Sequence, residues 1–474
     1  MPEPNARMGR GGLLQAPSWR GLRRVLPMGL GLSLAVLYAV VLGRAAGWGS
    51  LETVQGQTDY PAFLTGARLV ADGQAARLYD PAAQEPVQRL IVGDALFDSR
   101  GVLPYNHLPF LAVALVPLAG LPILTGWLLW TAILAAATAA ALAILSGELL
   151  AYSGRERAGR ADRVWAVLGL WGLALGFFPL FSSLLVAQVT PLVLLGLAGA
   201  VRAFRGGHEA TAGLWLTLGL LKPQIILVPL LVLLLMGRWA TLRAFALVAG
   251  LGLAAATVLL GGPGWIVAYA RLLGNVAGAD GAGAIQPLLM ANLRGQLALW
   301  AFLYDPTHPG GGAAPWVLPL ALALAVPILA GLAWAWRRGG WAPGAGTPAA
   351  RAWDLRWAAT LVVALLTSPH LPVYELALWL VPGVLVWRGL RAVAAGDPAA
   401  APPVQSRSWL RLGLLVVGWL AGVLALPLAR FSPLQVAVLA ALVGLPLLLG
   451  LATQVGRAPL RRISYMSITR GEEP

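Results

Sequence analysis

Residues 210–236 read ATAGLWLTLGLLKPQIILVPLLVLLLM, an apolar run interrupted once, at Lys222-Pro223-Gln224. About twelve apolar residues flank Lys222 on each side, whereas a full crossing of a bilayer core takes about 20. The run therefore predicts two short or broken helices meeting near Lys222. Non-helical backbone at that depth must line a protein-enclosed or watery cavity, because lipid offers its polar groups no partners.

The rest of the chain repeats this character. It has 474 residues, 58% of them hydrophobic and 11% charged, a composition that fits an integral membrane protein. Apolar runs of about 17–25 residues recur along it. They lack the period-two alternation of a transmembrane barrel. The expectation is an all-α polytopic protein of about 12 transmembrane helices, with a long first outer loop carrying short interfacial helices. Residues 108–150 are too long for one helix, although the charge pattern requires a net single crossing. Basic residues ahead of the first apolar run have no small-residue cleavage site after them, so that run is read as a retained helix.

The net charge of +15 does not indicate nucleic acid as a partner. The arginines fall in short clusters between apolar runs, with no aromatic-interleaved basic face. They group at Arg7–Arg24, Arg155–Arg163, Arg202/Arg205, Arg238/Arg243, Arg337–Arg356, Arg388–Arg411 and Arg457–Arg470. The positive-inside rule assigns these clusters and both termini to the cytoplasm. The polar segments 48–107 and 263–312 then lie outside, the first with seven acids against four arginines. In the second, Trp265 and Tyr269 of GWIVAYARLL suit an interfacial helix. The division expected is a basic N-terminus (1–24), a catalytic membrane domain (25–395), C-terminal membrane helices (396–456) and a cytoplasmic tail (457–474). The Ala-, Gly- and Arg-rich composition suits a G+C-rich genome, hence a bacterial inner membrane.

Cysteine is absent, which removes disulfides, thiolate metal sites and a cysteine nucleophile. No Walker A, GxGxxG, HExxH or GxSxG motif is present. No motif requires a cofactor. Asp, Glu and His leave a divalent metal conceivable, but no ligand spacing supports one.

The polar residues that remain carry the chemistry. Lys222 is the one lysine beside 33 arginines. It is either a phosphate contact in an interior cavity or a side chain that snorkels to the interface. Asp59, in QTDYPAFLTGARL (57–69), stands about one turn beyond the first helix. It is either a solvated loop charge or a general base able to take a hydroxyl proton. Burial against Tyr60 and Phe63 would raise its pKa. LYDP (78–81), with Tyr79, reads as a helix stop followed by a turn. YNHLPF (105–110) places Asn106 and His107 where the first loop re-enters the membrane. AQVTP (187–191) places Gln188 at the outer mouth of a helix pair. QPLLMANLRGQ (286–296) offers Asn292, Arg294 and Gln296 on the second loop, and SPHLPVYE (368–375) offers His370, Tyr374 and Glu375. Each is by itself an ordinary loop residue. Together they form a set of carboxylates, amides and cations that suits a carbohydrate and a phosphate better than a transported ion.

In order along the chain, TDYPAFLTGARLVADGQAARLYDP (58–81), YNHLPFLAVALVPLAGLP (105–122), AQVTPLVLLGLA (187–198), LGLLKPQIILVPLLVLL (218–234), MANLRG (290–295) and SPHLPVYEL (368–376) resemble glycosyltransferase family 87 of the GT-C superfamily. The likeness runs over about 30–390. Ala187 stands where that family commonly has glycine and Thr190 where it commonly has asparagine. The resemblance implies an enzyme that uses a polyprenyl-phosphate sugar donor, with mannose the first expectation, and a glycolipid or glycan acceptor at the outer face of the bilayer. It implies that Asp59 is the base of an inverting single displacement. Lys222, Arg294, His370 and His107 would attend the phosphate. Tyr60, Arg68, Tyr79, Asn106, Gln188, Gln224, Asn292, Tyr374 and Glu375 would contact sugar or acceptor. The alternatives are a transporter or flippase of a lipid-linked precursor, and an assembly scaffold. A transporter commonly shows paired broken helices in two halves. Here the irregular segments 108–150 and 210–236 both fall in the first half.

Overall fold

The computed structural model describes residues 19–456 apart from 46, 48, 152–158, 279–285, 305–313, 345–346, 392–403, 430–431 and 433. The N-terminus through residue 18, Arg155, Arg157 and the tail from 457 lie outside the described residues. Among the described residues the regular elements are all helices. Five are long and apolar enough to cross a membrane: Ile123–Ala151, Trp239–Leu259, Val317–Gly339, Val373–Leu390 and Val436–Val455. A sixth is the pair Arg160–Leu175 and Phe178–Leu185, bent by 58°.

Helix α1 (Trp19–Ala45) packs against α8 (Arg160–Leu175). Small residues allow the approach: a Cβ on Gly31 would lie 1.7 Å from the carbonyl oxygen of Gly172. Such close contact is how helices associate where lipid supplies no hydrophobic drive. Between them the chain forms α2 (Leu51–Gln57), α3 (Tyr60–Ala71), α4 (Pro81–Val92), α5 (Asp94–Arg100), α6 (Pro109–Leu115) and the long α7 (Ile123–Ala151). The segment between α1 and α7 is thus a set of short helices. Two details differ. Asp59 does not follow the first helix by one turn, because Ser50 accepts a hydrogen bond from the Thr53 N–H and starts α2 in between. LYDP does stop a 3-10 segment and turn, but at Leu78–Tyr79 and not at Asp-Pro. Asp80 accepts from the Ala82 N–H and Pro81 takes the first helical position, so that dipeptide opens α4.

Proline sets the next boundaries too. Pro109 opens α6, Pro191 opens α10 (Thr190–Arg205) after the short α9 (Phe178–Leu185), and Pro223 opens α12 (Pro223–Leu235). The run 210–236 is broken as its sequence predicts. Helix α11 (Glu209–Leu216) tightens into a 3-10 turn over Thr217–Leu221, and Lys222 is non-helical at φ −140°, ψ 70°. Then follow α13 (Trp239–Leu259), α14 (Gly264–Gly278), α15 (Leu293–Tyr304), α16 (Val317–Gly339), α17 (Pro348–Thr367), a 3-10 segment Val373–Trp379 running into α18 (Leu380–Arg391), α19 (Val404–Ala429) and α20 (Val436–Gly456).

Helices α10 and α17 form the core, buried nearly all round. α7 and α11 pack on α10, while α12, α16, α18 and α20 pack on α17. Helix α13 is the opposite case, with Leu247, Leu251 and Val258 exposed, as an apolar surface against lipid would be.

Candidate active site

The ends of α10 and α17 bring the predicted polar residues together. At the start of α10, residues 186–188 form a tight turn in which Ala187 has φ +61°. That left-handed conformation favours glycine. The strained turn is held from three sides. Trp130 of α7 donates its indole N–H to the Ala187 carbonyl at 2.9 Å, the Asp59 N–H reaches the Val186 carbonyl at 3.0 Å, and the Gln188 N–H reaches the Ser183 carbonyl at 2.8 Å. The turn therefore presents Gln188 to Asp59, and the Gln188 side-chain N–H₂ donates to the Asp59 carboxylate across 129 residues of sequence.

Asp59 precedes the first turn of α3 and leaves that turn uncapped. It is half-buried, yet burial dominates its protonation and pushes its pKa up. The Gln188 hydrogen bond and the charge of Lys222 draw the pKa partly back down. A side chain deep among protein atoms that still keeps some exposure lines a recess. Tyr60 and Phe63, which follow Asp59 on the first turn of α3, are both buried.

Lys222, 5% exposed at the helix break, pairs with Glu375 at 2.7 Å. Its ammonium also lies 5.5 Å from the centre of the Tyr374 ring, a cation–π distance. Its charge reaches Asp59, His107 and His370. Lys222 thus faces the protein interior and does not snorkel. The pairing with Glu375, 153 residues away, leaves the ion pair near neutral before any ligand arrives.

The segments MANLRG and SPHLPVYE are zipped together. The Ala291 N–H donates to Leu371 O at 2.8 Å, Asn292 donates to Ser368 O at 2.6 Å, and Arg294 reaches Pro369 O at 3.3 Å. Asn292 also accepts from the Gly295 N–H and so starts α15, which makes it a strut of the site. Gln296 accepts from the Gln435 N–H, tying α15 to α20. His370 lies beside Lys222 and Arg294, and its pKa is pushed down to about 4, first by burial and then by those two charges.

His107 stands on an aromatic pillar. Tyr79 donates to the His107 carbonyl at 2.8 Å and Tyr269 to the Asn106 carbonyl at 3.2 Å, with Tyr105 and Trp265 packed on Tyr79. The Phe63 ring meets the imidazole edge-on, with centroids 5.0 Å apart. Burial, then Lys222 and His370, hold His107 well below its ordinary pKa. Both histidines are therefore neutral groups and not cations at physiological pH.

Two predicted contacts lie apart from this cluster. Arg68, two turns along α3, donates to Ala119 O at 3.1 Å. Tyr79 is committed to the pillar. Gln224 is half-buried on the first turn of α12. Among the described residues no three His, Asp or Glu side chains converge as a metal centre would.

An ion network absent from the expectations closes the opposite ends of the same helices. Arg205, ending α10, pairs with Glu148 of α7 at 3.0 Å and with Asp354 of α17. Arg388 of α18 pairs with Glu148 and reaches Asp354 at 3.7 Å. Glu148, Asp354 and Arg388 are buried and Arg205 half-buried, beside the stacked Trp353 and Trp357. The signal for them was Glu148 and Asp354, the one acid in each of two long helices.

The fold and the recess define a helical membrane protein with an acid–amide–lysine cluster suited to group transfer. The sequence model of glycosyltransferase family 87 matches residues 105–369, more than half of the chain, and the protein belongs to that family. It is a membrane glycosyltransferase, which decides against the transporter and scaffold readings. No curated protein and no solved structure matches the chain significantly.

Proposed function

We propose that the enzyme transfers a monosaccharide, mannose in the first instance, from a polyprenyl-phosphate donor to a hydroxyl of a glycolipid or glycan, with Asp59 as general base. The observation that carries this reading is the half-buried Asp59 carboxylate, raised in pKa, oriented by Gln188 and within reach of the Lys222 charge. A general base works best when its pKa approaches the working pH, and burial moves a carboxylate in that direction.

In the displacement, the acceptor oxygen attacks the anomeric carbon and its proton passes to Asp59. The bond from that carbon to the phosphate oxygen breaks, the electron pair stays with the phosphate, and the configuration inverts. The leaving phosphate gains one negative charge as Asp59 loses one. The field of Lys222, shared with Asp59 at rest, is released to the phosphate in the same step, and Arg294 adds a second cation. Stabilising charge where it develops is the larger part of such catalysis.

The positive-inside rule applied to the arginine clusters supports an Asp59 end outside and an Arg205–Arg388 end in the cytoplasm of a bacterial inner membrane. The shorter apolar helices, such as Val25–Val41, Pro109–Leu118 and Leu412–Leu428, are candidates for the further crossings that a GT-C-like arrangement of about 12 would need.

The test is transfer of labelled mannose from polyprenyl-phosphate mannose by the purified full-length chain. Wild-type turnover by Asp59→Asn would remove Asp59 as base. Consumption of a different labelled lipid-linked sugar would replace mannose and leave the mechanism standing. A donor other than a polyprenyl-phosphate sugar would overturn the reading.

A further inference from the structure

Of the buried side-chain atoms without a hydrogen-bond partner in the protein, three belong to the residues gathered about Asp59 and Lys222 and act as acceptors: His107 Nε2, Gln188 Oε1 and Glu375 Oε2. His107 is 9% exposed, Gln188 3% and Glu375 fully buried. A buried polar atom without a partner is expensive, so each marks a place where a ligand atom belongs. Their chemistry says which kind.

Glu375 gives Oε1 to Lys222, which leaves the other carboxylate oxygen as an acceptor. The Gln188 amide faces a carboxylate that can only accept, so the amide presents N–H₂ there and its oxygen points elsewhere. The His107 ring nitrogen Nδ1 lies 2.9 Å from Asn106 Oδ1, an acceptor, so Nδ1 carries the ring hydrogen and Nε2 is a bare lone pair. The Asn106 and His107 backbones are themselves pinned by Tyr269 and Tyr79, which fixes the ring's place. A phosphate diester offers only acceptors and would leave all three atoms unpaired. A ring bearing several hydroxyls would satisfy each of them.

We propose that His107 Nε2, Gln188 Oε1 and Glu375 Oε2 form a hydroxyl-reading subsite for a pyranose, and that His107 does not bind the phosphate. The assignment rests on the proposed role of Asp59, which places the reacting sugar in this recess. It withdraws His107 from the phosphate group and leaves Lys222 and Arg294 there. The depressed pKa of His107 agrees with it, since a neutral, weakly basic ring takes a hydrogen bond and leaves the proton to Asp59.

The ring hydrogen can be read without any ligand. The chain has four histidines, so ¹⁵N-histidine labelling with single substitutions resolves His107. A pyrrole-type Nδ1 and a pyridine-type Nε2 are expected; a protonated Nε2 overturns the assignment whatever the donor. In binding, His107→Ala should weaken polyprenyl-phosphate mannose about three- to tenfold, as loss of one uncharged hydrogen bond does, and change bare polyprenyl phosphate less than twofold. A loss confined to methyl mannoside supports the subsite with the pyranose coming from the acceptor. Equal loss for both lipids, or no loss for any probe, overturns it. Should His107→Ala not fold, Asn106→Leu frees the ring to exchange tautomers and should lose the same discrimination; unchanged discrimination overturns the proposal. A wild-type protein that binds neither lipid refutes the proposed donor, and the ¹⁵N spectrum still decides the state of His107.

Discussion

Two buried polar clusters cap opposite ends of the same helices. Along α10 they are separated by sixteen residues of helix, about 24 Å. At one end Glu148, Asp354, Arg205 and Arg388 balance two acids against two arginines, in direct ion pairs. At the other end Asp59, Lys222 and Glu375 share one short ion pair, and buried acceptors are left over. In the first arrangement each carboxylate meets both arginines, which holds the bundle. In the second a carboxylate oxygen, an amide oxygen and a ring nitrogen stay without partners. Buried charge alone does not tell a working site from a structural one, whereas acceptors left unpaired point to a ligand.

Replacing Asp59 should expose this difference most sharply. Asp59→Asn is expected to lower kcat for sugar transfer about 10²–10⁴-fold, the range of a general base. The same variant should melt at a higher temperature at neutral pH. Asp59 has a raised pKa in the folded protein, so its ionisation opposes folding. That penalty is absent below the ordinary carboxylate range, grows as pH rises through it, and stays constant above the raised value. The thermal gain of Asp59→Asn should therefore vanish in acid. A variant that loses both activity and stability would make Asp59 a structural residue and dissolve the contrast.

The closed network should behave in reverse. Asp354→Ala leaves Arg205 and Arg388 to share Glu148 alone, two cations against one acid, and is expected to cost about 3–5 kcal/mol of stability, the usual cost of breaking a buried pair. Turnover per folded molecule should hold within about twofold, since the proposed base lies at the other end. Detergent thermal melts beside single-turnover transfer separate the two. A large loss of turnover in protein that still melts normally would mean that the network communicates with the recess.

Much of this was legible in the sequence, and what was not has a physical reason. The break at Lys222 could be read because lipid does not solvate a lone cation and the proline beside it cannot continue a helix. Asp59 was singled out by the order of motifs around it, although its place one turn past the first helix was misread, because α2 intervenes. The pairing of Lys222 with Glu375 could not be read, because long-range contacts depend on how helices pack. The arginines were legible as topology markers, and that reading hid the second task of Arg205 and Arg388 inside the bundle. LYDP was read in part: the stop and the turn are there, but Asp-Pro signals a turn and a helix start equally well, and here it starts α4.

Gln188 tests the orientation of the base on a smaller scale. Its hydrogen bond stabilises the ionised form of Asp59, so Gln188→Leu should raise the pKa further. Because the base acts when deprotonated, activity falls as pH drops through that value, and the acid limb of kcat/KM should move to higher pH in the variant. At saturating pH the loss should be about tenfold, the worth of one charge-assisted hydrogen bond. An unmoved limb would mean that Gln188 does not touch the carboxylate during turnover.

The smallest effect concerns the turn that carries Gln188. Ala187 holds a left-handed conformation that costs a non-glycine residue about 1–2 kcal/mol. Ala187→Gly removes that strain but adds about 0.5–1 kcal/mol of chain entropy to the unfolded state. The balance predicts a gain of up to about 1 kcal/mol, read as a modest rise in melting temperature. It should be largest where the turn is otherwise weakened, as in Trp130→Phe, which drops the bond to the Ala187 carbonyl. In the two-substitution cycle the glycine should recover part of the loss caused by Trp130→Phe. If the indole bond is what enforces the strained φ, the two changes will couple; independent, additive effects would place the strain in the Ser183–Gln188 turn alone.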